Sequence, residues 1–343
     1  MYSESDIENA VAAGVMTPEA AAAFRNHTAG LRQAPAVDEE QFKLLTGFND
    51  IFVAIALALS LGAIGQIGWQ IMQPLGGAAV AASAWLFAEY FTRKRRMALP
   101  SILLLLAFAG GVAATMIGVL VRLEVDVPER TGALIAGGIA LVTAGATWLH
   151  WRRFMVPITV AAGALALVAT VAATVAGALG LKPDAMYPIA LAGGLGVFAL
   201  AMWWDVSDRE RRTRRSDVAF WLHLAAAPLI AHPIFHMLGV LNNDVDAVRA
   251  LLVIALYLVF AFVALAVDRR ALLVSSLAYV LYAMYGLIQQ TGAVELSAAL
   301  TAFVIGSALL TLSVFWHQMR RAVVALLGGL KDRLPPVQTM VPA

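Results

Sequence analysis

From residue 51 onward the chain is a succession of long apolar runs, interrupted at short intervals by Arg, Pro, Gly or acidic residues. Ten runs stand near 51–72, 74–92, 99–121, 131–149, 155–179, 187–204, 218–240, 249–267, 271–289 and 296–316. About 20 apolar residues in a helix cross the hydrocarbon core of a bilayer, and most of these runs reach that length. The pattern predicts an all-α integral membrane protein, a ten-helix transmembrane bundle over residues 51–316. Residues 1–37 read differently, as a small cytosolic N-terminal helical hairpin and linker. Ser5 with Glu8 fits a capping box, Gly14 fits a helix-ending position, and Thr17-Pro18 restarts a helix. Residues 38–50 are amphipathic and are predicted to lie in the membrane interface before the first span. Residues 317–343 are predicted to form a cytoplasmic amphipathic tail.

Charge then orients the bundle. Arg93-Lys94-Arg95-Arg96, Arg152-Arg153, Arg209 to Arg215 and Arg269-Arg270 follow the second, fourth, sixth and eighth runs, and Arg320-Arg321 follows the tenth. With both termini inside, only Arg122, Arg130, Lys182 and Arg249 of the 24 Lys and Arg face out. Cytoplasmic loops carry the excess of Lys and Arg, so this alternation supports an even number of spans with cytoplasmic ends.

Composition excludes several classes. The chain is 61% hydrophobic and 13% charged, against about one quarter charged in a soluble domain. Its lipid partner is therefore the bilayer itself. The net charge is +2 and the basic residues are scattered between spans, so no nucleic-acid partner is expected. Cysteine is absent, which removes disulfides, thiolate metal sites and cysteine nucleophiles. Arg far outnumbers Lys and the acidic N-terminus lacks a signal peptide, which points to a bacterial inner (cytoplasmic) membrane. No phosphate loop, dinucleotide-binding glycine pattern, zincin motif or nucleophile elbow is present. Enzymatic chemistry is not expected, nor is a cofactor. Haem between two helices needs a deep histidine on each, and His150 and His317 are predicted to lie at cytoplasmic edges.

The candidate chemistry lies in the second half. Residues 220–238, FWLHLAAAPLIAHPIFHML, hold His223, His232 and His236, half of the six histidines, together with Pro228 and Pro233. His232 and His236 are four apart and share a helical face, whereas His223 falls half a turn away. Either the imidazoles accept protons or bind a metal through His232 and His236, or they hydrogen-bond to neighbouring helices and the prolines merely bend the span. Each proline frees a carbonyl at membrane depth, as in the broken helices of transporters. On the ninth run Ser275, Tyr279, Tyr282, Gly286 and Gln289 form a polar stripe at helical spacing. The stripe predicts a site between the seventh and ninth spans, made by His223, His232, His236, Tyr279, Tyr282 and Gln289; ordinary packing is the other reading. Runs three to six instead carry small residues, Gly110, Ala114 and Gly118, then Gly132, Ala136, Ala140 and Ala144, which predict close helix contacts. Glu89 is expected to pair with Arg93 one turn away. Asp205, after Trp203 and Trp204, is expected on a loop.

The segment DIENAVAAGVMTPEAAAAFRNH, with Gly14, Val15, Met16, Thr17, Pro18, Glu19 and Ala20, resembles the N-terminal helical hairpin of certain uncharacterised bacterial polytopic inner-membrane proteins. The C-terminal FWHQMRRAVVALLGGLKDRLPPV is similar to the ends of that group. The resemblance implies a polytopic membrane fold and no particular activity. Two functions are therefore expected as alternatives. One is a small-molecule or ion transporter with five-plus-five spans. The other is a non-catalytic membrane scaffold or sensor whose residues 5–30 bind a protein partner.

Overall fold

The computed structural model describes residues 7, 10–32, 48–124, 126–209, 211, 213–239, 247–290, 297–329 and 334–335. All secondary structure among them is helical. The helices are α1 (Pro18–Arg32), α2 (Phe48–Ile71), α3 (Gln73–Ala88), α4 (Ala98–Arg122), α5 (Glu129–Phe154), α6 (Ile158–Leu179), α7 (Met186–Ser207), α8 (Arg214–Met237), α9 (Ala247–Val267), α10 (Ala271–Gln290), α11 (Ser297–Val314) and α12 (Trp316–Leu326). Each predicted apolar run coincides with one of α2 to α11.

Seven of these helices, α2 and α4 to α9, are long and apolar enough to cross a membrane, and an eighth crossing counts if α11 and α12 form one bent span. The protein is thus a multi-pass helical membrane protein with seven to eight qualifying spans. Three of the ten predicted elements are not among them. α3 has 16 α-helical residues and then widens into a π-helical turn, Glu89–Lys94. In α10 the apolar stretch whose side chains are described is Ala271–Tyr285. α11 breaks at Phe315, and α12 leaves it at 75°. α12 buries Trp316, Arg320 and Val324, one turn apart, on one side. The predicted interfacial residues 38–47 and most of the first helix of the hairpin lie outside the described residues. Within the described part, Gly14 is left-handed at φ +71°, and the Thr17 hydroxyl accepts from Ala20 N–H at 3.1 Å, as the capping pattern predicts.

Turn chemistry sets the ends of the spans. α3 starts with Pro74 in its first turn. α6 ends at Gly180, φ +62°, whose N–H reaches the Ala176 carbonyl. α8 is capped by the Thr213 hydroxyl, which accepts from Arg215 N–H at 3.3 Å.

Neighbours in sequence pack side by side: α3 with α4, α5 with α6, α7 with α8 and α9 with α10. Among the described residues, beside a small apolar core of Ala264, Leu265, Leu273 and Trp316, two larger ones result. The smaller joins α2, α3 and α4 around Leu57, Leu61, Ala84, Leu104 and Phe108. The larger surrounds α8, with Leu222, Ala226, Ile230 and Phe235 meeting α6, α7, α9 and α10.

Close approach through glycine is real, but the predicted stripe is displaced. Gly110 has nothing within 4 Å of where a Cβ would sit, and Gly132 only Val127 at 4.0 Å. The contact residues are Gly77 and Gly111, with Gly118, where a Cβ would sit 2.7 Å from the Gln73–Pro74 backbone. Successive helical residues point about 100° apart, so Gly111 faces α3 while Gly110 faces outward. On α5, Ala144 is buried, but the close approach is at Gly137, where a Cβ would sit 2.6 Å from the Thr174 hydroxyl of α6.

Candidate functional sites at the two ends of helix α8

α8 is the most enclosed span: 56% of its apolar window is buried, against 17–39% in the other spans. The helix is continuous from Arg214 to Met237 despite Pro228 and Pro233. The prolines therefore do not break it into two half-helices, because its packing against α6, α7 and α10 holds the helical path on both sides. Its polar groups divide between two ends.

At the Met237 end, His232 Nδ1 and the Tyr279 hydroxyl of α10 are hydrogen-bonded. Tyr279 stacks on Phe235 at 4.3 Å between ring centroids. His236 stacks on Tyr187 of α7 at 3.6 Å, and Tyr187 also lies 5.8 Å from His232. The two histidine rings are 6.4 Å apart. Four polar-tipped rings from three helices thus converge, and His232 is exposed. The arrangement offers exchangeable donors and acceptors to a solute or proton. Among the described residues no three His, Asp or Glu side chains are placed to hold a metal, so His232 and His236 alone would supply protein ligands.

The predicted site is only partly assembled. His232, His236 and Tyr279 come together. Tyr282 points elsewhere, 38% exposed, because three helical residues turn it about 60° from Tyr279. Gln289 falls on the last turn of α10, and its side chain lies outside the described residues. His223 belongs to the other end. Nine residues along a helix is about 13 Å of rise and half a turn of rotation. Tyr187 escaped the sequence reading. Its signal was positional: α7 and α8 form a hairpin, so the start of one meets the end of the other.

At the Arg214 end lies a buried ionic network. His223 Nε2 meets Asp205 Oδ2 at 2.8 Å. A guanidinium N–H of Arg269 donates to Asp205 Oδ1 at 2.6 Å and to the Ser216 carbonyl at 3.3 Å. Asp205 is 1% exposed, and His223 and Arg269 are each 3% exposed. Asp205 is therefore not a loop residue, as expected from its position, but the anchor between α7, α8 and the α9–α10 turn. Beside it, Asp268 accepts from Arg211 at 2.9 Å and from the Trp316 indole N–H at 2.9 Å, and Arg320 lies 3.3 Å away. Asp268 takes a left-handed backbone, φ +62°, to make the turn. Arg270 lies over the Trp316 ring at 4.7 Å. Arg320 and Arg209 also donate to the Pro335 and Leu334 carbonyls. Nothing local in the sequence marks Asp268, Arg211 or Arg320 as buried.

Two further expectations resolve at the same end of the molecule. Glu89 pairs with Arg93 at 3.2 Å as expected, and also with Arg153 of α5 at 2.6 Å. His150, one turn before the end of α5, is fully buried, ringed by Trp85, Phe108 and Phe154, with Thr159 at 3.4 Å from Nδ1. Comparison of the chain with protein-family models, curated proteins and solved structures finds no match, so the N-terminal resemblance rests on its motif and the site on its own geometry.

Proposed function

We propose that this chain is a transporter of small solutes or ions in a bacterial inner membrane, with ten crossings and both termini in the cytoplasm. Its site is the ring cluster of His232, His236, Tyr279 and Tyr187. One observation carries this reading: polar rings from α7, α8 and α10 meet at one end of the central helix, while carboxylate–arginine pairs close the other. Polar and ionisable side chains within spans mark solute and proton routes more often than they decorate lipid-facing packing. In this reading α3, α10 and α11 complete the crossings, the π turn lengthening α3.

The test compares wild type with the His232→Ala/His236→Ala double variant. Calorimetry with zinc and a thermal-shift series from pH 5 to 8 are the readouts. Wild type is expected to show a titration step or a zinc-dependent stabilisation that the double variant lacks. At a hundred times Kd, a ligand adds about 2.7 kcal/mol. Superimposable traces would return both histidines to packing.

Topology has its own check, because the chain lacks cysteine and one introduced thiol labels alone. In intact cells an impermeant maleimide is expected to label Asp126→Cys and Asp184→Cys, but to reach Ser207→Cys only after permeabilisation. The opposite pattern would invert the proposed orientation.

A second reading, a scaffold acting through its N-terminal segment, is favoured by an exposed apolar side chain there. The side chain that counts is Val15, 81% exposed and so available to a protein partner.

A further inference from the structure

We propose that Asp205, His223 and Arg269 form a buried proton-binding site in which one carboxylate holds either the arginine or a protonated imidazole, and that proton uptake releases the α9–α10 turn. The inference stands apart from the transport reading and concerns the opposite end of α8.

One carboxylate serves two partners, each on its own oxygen. Asp205 offers Oδ1 to Arg269 at 2.6 Å and Oδ2 to His223 at 2.8 Å. Both claimants and the carboxylate are almost wholly buried. With a neutral His223 donating from Nε2, Asp205 and Arg269 cancel and the trio carries no net charge. A proton on Nδ1 would leave two cations facing one anion in surroundings with little solvent to screen them. The charged groups that face His223 are Asp205 from α7, Arg269 from the α9–α10 turn and, farther off, Arg211 from the α7–α8 loop. None supplies a second negative charge to His223, because Asp268 is already engaged by Arg211 and lies beside Arg320. A protonated His223 therefore keeps Asp205 only if Arg269 leaves.

Arg269 has a way out. A narrow crevice borders the trio, lined by Phe198, His223, Val263, Arg269, Ala271 and Leu272, with no room for a water molecule as it stands. Arg269 sits in a three-residue turn, Asp268–Arg270, between α9 and α10. Withdrawal of its side chain opens that crevice, admits water to His223 Nδ1 and frees the turn. The proton comes from hydronium in the solvent, relayed through that water to Nδ1, and no bond of the chain is broken.

The experiment uses the full chain carrying Ala271→Cys, with and without His223→Gln. Glutamine keeps an N–H toward Asp205 but cannot take the proton. Thiol labelling is followed from pH 8 to 5 and normalised to the same protein unfolded in detergent at each pH. Normalised labelling is expected to rise at least tenfold toward pH 5 with His223 present and to stay flat with glutamine. A flat profile with His223, or the same rise in both, overturns the proposal. Nitrogen NMR of the histidine rings in Arg269→Gln gives a measurement independent of the glutamine variant's folding. Loss of the arginine leaves Asp205 without its cation, so His223 is expected to be protonated at pH 7. A ring that stays neutral there also overturns the proposal. Both readouts leave His232 and His236 untouched, so failure here is separate from failure of the zinc and titration assay.

Discussion

Asp268→Ala is expected to lower stability by about 3–5 kcal/mol, the cost of removing one member of a buried ion pair and leaving the other charged and unpaired. Asp268 is 2% exposed and Arg320 1%, so solvent cannot take over the charge. The carboxylate bonds to Arg211 and Trp316, so its loss affects the α7–α8 loop and the start of α12 at once. Asp268→Asn retains an acceptor for the Trp316 indole but not the charge, so an intermediate loss is expected. Unfolding by denaturing detergent, followed by tryptophan fluorescence, is the measurement. A loss for alanine below about 1 kcal/mol, the range of exposed pairs, would show that the network is solvated rather than buried.

Gly77→Ala is the second large effect. A Cβ at Gly77 would sit 2.6 Å from the Gly111 carbonyl oxygen and 2.7 Å from the Ala114 carbonyl carbon, closer than carbon tolerates. These are backbone atoms of α4, so no side chain can swing aside and the two helices must part. Overpacking of this kind costs about 1–3 kcal/mol, and Gly77→Val is expected to exceed it. Gly110→Ala is the matched control. It adds the same methyl group to α4 where nothing lies within 4 Å, and helix propensity favours it by up to about 1 kcal/mol. The same detergent unfolding series, run on both variants, decides: equal stability for the two would remove glycine contact as the basis of the α3–α4 hairpin.

That pair of glycines also marks what one sequence can reveal. Apolar runs and arginine-rich turns located α2 to α11 because lipid demands length and the turns must be polar. The sequence could not say which of two adjacent glycines faces the neighbouring helix, since periodicity fixes relative directions and leaves the absolute rotation free. The π turn after Ala88 and the bend at Phe315 were not legible, because an apolar run gives the length of a helix and not its path. At the ring cluster, His232 and Tyr279 were legible as polar residues on apolar helices that must meet something. The ionic network was not. Asp205 finds His223 across 18 residues and Arg269 across 64, and neither partner is implied by the residues beside it.

The grip of α12 on Asp268 also sets an order of events during synthesis. Trp316 lies 48 residues after Asp268. At translation rates of ~5–20 residues per second, the ribosome needs ~2–10 s to make that interval. Until then Asp268 has Arg211 for company but neither the indole nor Arg320. The arginine end is thus completed late, when the chain has already threaded its spans. A chain stalled before Trp316 would leave this end unsealed, open to water and to quality-control proteases.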